Sequence, residues 1–230
     1  AEVAKYAFAR KGVLTLSPSL VHIFWKSDEA LDHGDLQMTF TPASYKEGVQ
    51  SQLDDFPGMT VAVWQQRPES SGYVRARSGD AMKAPAIQPN YLAREYDQRV
   101  LLDGMRLGRR LLGTPELAPY YDGEEYPGAG RTGDGELLGF ARQMGTTAFH
   151  LMGTCAMGPA SDPGAVVDDT LRVHGIAGLR VVDASIMPTM PSGNTNAATL
   201  IIAEKAADMI VGKPPLAAAT LNSTSNEMDP

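Results

Sequence analysis

The sequence predicts a mixed α/β protein (α+β in arrangement), an antiparallel sheet flanked by helices. Three observations carry that prediction. Four short runs in the first third are rich in β-branched and aromatic residues. Turn-forming pieces such as Arg67-Pro68-Glu69-Ser70-Ser71-Gly72 separate them, so neighbouring strands need no helical crossover. Longer stretches with apolar residues at helical spacing then follow.

Residues 1–10 predict a short helix, ended by Gly12 after Lys11. The strand candidates are Leu20–Lys26, Leu36–Thr41, Met59–Gln65 and Tyr73–Arg77. In the third, Met59, Val61 and Val63 share one face and Ala62 and Trp64 the other. A helix is expected from Tyr91 to Leu112, with Tyr96, Val100, Leu107 and Leu111 recurring along one side and Gly113-Thr114-Pro115 stopping it. A loop over Tyr120–Gly135 leads to a helix from Glu136 to about Met144. Val166–Val167, Leu171–Val173 and Leu179–Val182 read as short apolar strands between Gly-containing turns. Two prolines keep Ile186–Gly193 from being helical throughout. Ala197–Val211 is apolar apart from Glu204, Lys205 and Asp208, which predicts a mostly buried helix. Residues 212–230 form a Pro/Ala/Ser/Thr-rich tail, extended or mobile, in which Asn222-Ser223-Thr224 matches a glycosylation acceptor of little weight.

Composition narrows the function classes. With 43% hydrophobic and 20% charged residues, the 230-residue chain has the make-up of a soluble globular protein with a substantial core. A net charge of −7 without a Lys/Arg run argues against nucleic acid, which needs a basic face. No apolar run approaches the ~20 residues of a transmembrane helix. Cys155, the single cysteine, cannot form an internal disulfide, which fits a reducing compartment such as the cytoplasm. The chain starts without Met and its first residues read as mid-protein helix, so a longer chain is expected and localisation stays open, since an upstream signal peptide would be invisible.

Gly128-Ala129-Gly130-Arg131-Thr132-Gly133 fits G-x-G-x-x-G. That pattern binds a dinucleotide only where a strand delivers it and a helix carries the pyrophosphate. Here Asp122-Gly123-Glu124-Glu125-Tyr126-Pro127 precedes it, acidic and turn-like, so it is read as a loop.

Three blocks carry candidate chemistry. Phe149–Gly158 puts His150 before a Gly-Thr turn; standing alone, the block fits a satisfied core histidine at least as well as a site. Leu179–Ser185 ends a strand at Asp183, where open sheets bind ligands, or where an Asp simply caps a turn. Pro191–Thr199 leads into the last helix, whose N-terminus offers N–H groups and a positive dipole end, or only a cap. His22, His33 and His174 are read as structural or surface residues, and Cys155 as a small buried hydrophobe.

Taken in order, these blocks resemble the glucose–methanol–choline family of flavoprotein oxidoreductases. The resemblance runs through Phe149–Gly158, Leu171–Gly175, Leu179–Pro188 and Pro191–Ile210, with Ser71–Ser78 and Pro89–Leu92 similar to the family's substrate-domain sequence. It implies FAD as cofactor and a pair facing the flavin, His150 and Asn194, with Asp183, Ala184, Asn194, Thr195 and Asn196 at positions that contact FAD. Asn194 in place of a second histidine is similar to the choline dehydrogenase-like branch. The implied layout is a mainly substrate-binding domain over 1–148 and a segment over 149–211 that returns to, and closes, a Rossmann-like FAD-binding domain. The family's FAD fingerprint is absent from this chain and is expected before residue 1, in an N-terminal FAD-binding part of the same enzyme.

The implied activity is oxidation of a small-molecule alcohol to an aldehyde or ketone, with His150 as base, flavin N5 as hydride acceptor, and oxygen or a quinone as electron acceptor. A neutral imidazole with pKa near ~6.5 suits the proton transfer. Phe149 with Trp25 or Trp64 could line an apolar pocket, although each also fits ordinary core packing. Two alternatives stand beside this: a flavin-containing hydroxynitrile lyase-like enzyme, and a non-catalytic fragment or subunit that needs a separate FAD-binding part.

Overall fold

Alternation in Leu36–Thr41 organises the fold, with Leu36, Met38 and Phe40 on one face of a strand and Gln37, Thr39 and Thr41 on the other. In the computed structural model, which describes residues 2–12, 15–17, 19, 21–46 and 52–217, this strand (β2) is the centre of an antiparallel sheet. It lies between β1 (Val21–Trp25) and β3 (Thr60–Gln65), in the order β1-β2-β3. The register pairs Phe24 with Gln37 and Gln37 with Trp64 on one face; it pairs Ile23 with Met38 and Met38 with Val63 on the other. The remaining strands, β4 (Tyr73–Arg75) and β5 (Ala86–Gln88), form a separate two-stranded antiparallel sheet.

Among the described residues four α-helices accompany the strands: α1 (Glu2–Ala9), α2 (Glu95–Leu112), α3 (Asp134–Met144) and α4 (Thr195–Ile210). The chain divides into two compact units, one within Ala1–Thr154 and Thr189–Thr195, the other within Cys155–Pro188 and Asn196–Pro230.

The first unit's core forms where α2 lies on the apolar face of β1–β3. Leu36, Met38 and Val100 are fully or almost fully buried, packed by Ile23, Val61, Val63, Tyr96, Leu107 and Leu111. Each such burial is worth about 1.5–3 kcal/mol. Two α2 glycines set how close the helix comes. A Cβ on Gly104 would stand 2.6 Å from Leu36 Cδ1 and clash with Val63 Cγ1, and one on Gly108 would stand 3.3 Å from Val61 Cγ1. Just before β2, Asp35, 1% exposed, accepts hydrogen bonds from Ser27 N, Ser27 Oγ and Tyr96 OH. Burial, and then this bond to Asp35, raise the Tyr96 pKa above its ordinary value. Asp97, 2% exposed, accepts from Glu69 N and Ser70 N, while Ser70 Oγ accepts from Ala93 N and Arg94 N, tying the turn over 67–72 to the start of α2.

The second unit's core is Val167, Leu171, Ile186 and Ala206, with Met157, Val173 and Ile202 among the residues packed against it. The runs over 166–182 do not extend into strands as the sequence predicts; they form isolated bridges, Val167 to Val173 and Arg172 to Arg180. Left-handed backbone at Leu171 (φ 67°), Gly175 (φ 75°) and Gly178 (φ 76°) interrupts each run before a ladder can grow. The Asp168 carboxylate clamps this turn, and the Arg172 N–H and Thr170 hydroxyl hold its pKa below the usual range.

Helix α4 also departs from expectation. Ala206 is buried, but Leu200 (59%), Ile201 (67%) and Ile210 (59%) are exposed. A helix apolar on several faces buries only the face that meets a core, and here that face is Ile202 and Ala206. The G-x-G-x-x-G segment is a run of turns closed by an Arg131 N to Gly128 O hydrogen bond, with no strand before it, and Gly133 caps α3. Among the described residues no helix is long and apolar enough to cross a membrane, and no acidic or His/Cys cluster could hold a metal. The expected tail over 212–230 is described only to residue 217; its acceptor motif at Asn222, like Leu20 of the first strand candidate, lies outside the described residues.

Candidate active site

Opposite the α2 packing, the first unit's sheet presents a polar face, and this face builds the site. Gln37 is 0% exposed although its side chain is on the non-apolar side of β2. Phe24 and Trp64, its register partners, flank it on the same face, followed by His22 and Ala62 beside Thr39.

Hydrogen bonds run from Gln37 in three directions. Gln66 Nε2 donates to Gln37 Oε1; Gln37 Nε2 lies 3.2 Å from His22 Nδ1 and donates to Asn194 Oδ1 at 3.4 Å. Asn194 Nδ2 then lies 3.5 Å from His150 Nε2. The first unit therefore brings the two sequence-predicted reactive residues together, 44 positions apart in the chain.

Each partner is delivered by local structure. Segment 189–195 is held at Ser192, whose hydroxyl accepts from Arg67 Nε at 2.5 Å. His150 follows Phe149, whose φ of 59° is a left-handed conformation that bulky residues seldom adopt. Such strain persists where surroundings over-determine it. Here Phe149 N donates to Thr147 Oγ1 at 3.0 Å, and Tyr91 OH donates to the same oxygen at 2.8 Å. Gly153 (φ 85°) then makes the turn after His150.

The other predicted residues sit as follows. Thr195 is the first residue of α4 and buried; Asn196 is the second and exposed. Asp183 is exposed and caps the 3-10 turn Ala184–Ile186 by accepting from Ser185 N at 2.8 Å, with Ala184 half-buried. That turn accepts hydrogen bonds from Cys155 N at Ser185 O and from Met157 N at Ile186 O. Of the other histidines, His174 Nε2 bonds Gly158 O at 3.0 Å as a structural residue, and His33 is exposed.

Three residues of the network were not anticipated. Gln37 and Gln66 had no assigned role, and His22 had been read as structural or surface. The available signal was a glutamine in mid-strand, alternating with Leu36 and Met38, whose partners the sequence does not reveal. The aromatic expectation also needs correction at one position. Trp25 pairs with Leu36 and so shares the face that carries the α2 packing, whereas Phe24 and Trp64 share the face of Gln37.

Known proteins are similar to this chain in sequence and fold. The model of the family described as GMC oxidoreductase matches residues 68–203. An alcohol dehydrogenase [acceptor] of Pseudomonas putida is 37% identical over 227 residues, covering 98% of this chain and 41% of that protein. The mitochondrial choline dehydrogenase of Homo sapiens is 42% identical over 195 residues, covering 84% of this chain and 32% of that protein. The crystal structure of pyridoxine 4-oxidase from Mesorbium loti superposes with a TM-score of 0.77 at 28% identity, covering 87% of this chain and 39% of that one. This chain thus spans roughly two fifths or less of the length of these relatives. The chain belongs to the GMC oxidoreductase family.

Proposed function

We propose that this chain carries the alcohol-handling side of an FAD-dependent enzyme that oxidises an alcohol to an aldehyde or ketone. The observation that supports this most is the approach of Asn194 Nδ2 to His150 Nε2 at 3.5 Å. An amide N–H and an imidazole nitrogen at that separation are complementary to a hydroxyl group. The alcohol oxygen accepts from Asn194 while its proton points at His150, which takes it as general base. A long contact of this kind is what a free site shows before substrate tightens it.

FAD, when bound, supplies the hydride acceptor at N5. The residues that the family resemblance offers to hold it are Asp183, Ala184, Asn194, Thr195 and Asn196, of which Asn194, Thr195 and Asn196 carry amide or hydroxyl groups able to meet a polar ring edge. Helix α4 has no acidic side chain in its first turn, so the positive end of its dipole suits an electron-rich ring. Donors aimed where negative charge develops contribute about 3 kcal/mol each. On this reading residues 1–148 serve mainly the substrate, residues 149–211 return to the FAD-binding domain, and an N-terminal FAD-binding part completes the enzyme. The electron acceptor is oxygen or a quinone, and mixing reduced enzyme with air separates the two.

Anaerobic reduction of the holoenzyme's flavin by a panel of primary alcohols, benzyl alcohol and choline among them, tests the reading. His150→Ala should retain FAD and lose about 10²–10⁴-fold or more of the reduction rate. Asn194→Ala should lose less, because the base remains. Wild-type reduction kinetics in His150→Ala would remove His150 from the chemistry, and loss of the flavin from Asn194→Ala would give that residue a cofactor-holding role instead.

A further inference from the structure

Resting on the reading of His150 and Asn194 as the reacting pair, we propose that Gln37, fixed by Gln66, is a positioning residue that decides which end of the Asn194 amide faces His150. A carboxamide has two unlike ends of nearly the same shape, and only its partners determine which way it points. The direction matters here. With Nδ2 toward His150, Asn194 donates to an alcohol oxygen and leaves the hydroxyl proton free to point at Nε2. With Oδ1 toward His150, the amide accepts that proton's hydrogen bond itself and competes with the base.

The polar face of the sheet resolves the choice. Gln66 is 3% exposed and donates from Nε2 to Gln37 Oε1, which occupies the acceptor end of Gln37. Both remaining Gln37 donors lie at its other end, one 3.4 Å from Asn194 Oδ1 and one 3.2 Å from His22 Nδ1. A donor against Oδ1 leaves Nδ2 as the end of Asn194 that meets His150 Nε2. That contact is complementary to a lone pair on Nε2, which the tautomer carrying its hydrogen on Nδ1 offers. Because Gln37 is wholly buried, water cannot substitute for a missing partner at its end, and Asn194, itself exposed, takes its direction from the Gln37 donor against its Oδ1. His22 and His150 are the titratable groups touching this chain among the described residues, and Arg67 reaches segment 189–195 through Ser192.

The test uses the FAD-loaded enzyme and benzyl alcohol, with flavin content and thermal midpoint recorded for every variant. Gln37→Glu keeps the shape but turns the donor end into an acceptor, so Asn194 should reverse. Flavin reduction should fall roughly 10- to 100-fold, the scale of a misplaced reacting group. The acidic limb of its pH profile should also move to higher pH, because Oδ1 now favours a proton on Nε2. Gln37→Met, which removes the preference without reversing it, should slow reduction less and leave that limb in place. Gln66→Met, which frees the Gln37 acceptor end without reversing it, keeps the rate readout should Gln37→Glu fail to fold, with a smaller loss in rate and the limb in place. Wild-type rates and profiles in these variants, with His150→Ala inactive, would overturn the role of Gln37 and leave the function intact. Wild-type reduction in His150→Ala would instead overturn the function on which it rests.

Discussion

The two faces of the β1–β3 sheet are made by the same three strands and do opposite work. One face carries Ile23, Leu36, Met38, Val61 and Val63, and α2 covers it at a distance set by Gly104 and Gly108. Its contacts are numerous, non-directional and individually small, so what it supplies is stability. The other face carries Gln37, with Phe24 and Trp64 beside it, and ends at Asn194 and His150. Its contacts are few and directional, and what they supply is orientation. Leu36 and Gln37 are adjacent residues of one strand, both essentially unexposed, yet they belong to these two different economies of structure. Burial alone, therefore, does not separate a core residue from a site residue; the chemistry of the partners does.

Leu36→Ala breaks the comparison most severely if it is wrong. It should cost about 2–5 kcal/mol of stability, as a cavity opens between β2 and α2. Flavin reduction per folded molecule should remain at the wild-type rate. Denaturant unfolding and anaerobic reduction of the same preparation measure both quantities. A slow but fully stable Leu36→Ala enzyme would show that the two faces are not separable. Gln37→Met is its mirror, with the larger effect in rate.

A smaller effect sharpens the account of the stable face. Tyr96 donates to buried Asp35, and its pKa is raised by burial first and by that bond second. A raised folded value means the unfolded tyrosine ionises first, near pH ~10, while the folded one stays protonated. The stability is then fully present below that pH and is lost as pH rises through the folded value. Tyr96→Phe should lose about 0.5–1.5 kcal/mol at neutral pH and lack this alkaline decline. Urea midpoints followed from neutral to alkaline pH report it; identical slopes in both proteins would contradict the assignment.

Much of this was legible beforehand, for identifiable reasons. Helix α2 came through because Tyr96, Val100, Leu107 and Leu111 keep one face for about four turns, and β2 because six residues alternate without interruption. Strand β5 was missed because Ala86–Gln88 is three residues long, too short for any periodicity to register. Helix α4 was found, but an apolar composition could not say which of its faces meets a core. The His150–Asn194 pair came from long ordered motifs rather than from spacing. Its support by Gln37 was not legible, since Gln37 and Asn194 are 157 positions apart and a lone mid-strand glutamine names no partner. Trp25 stood beside Trp64 as a candidate for a related reason: neighbours in a strand face opposite ways, and only the register tells which residues share a face with Gln37.

The central claim is that His150 and Asn194 act as one unit on a single hydroxyl group. A double-mutant cycle on the rate of flavin reduction tests it directly, comparing His150→Ala, Asn194→Ala and the double variant in holoenzyme with equal flavin content. The double variant should be scarcely slower than His150→Ala alone, because a positioned proton has no destination once the base is gone. Losses that multiply, each substitution slowing the enzyme by the same factor whether or not the other is present, would mean that the two side chains serve separate purposes.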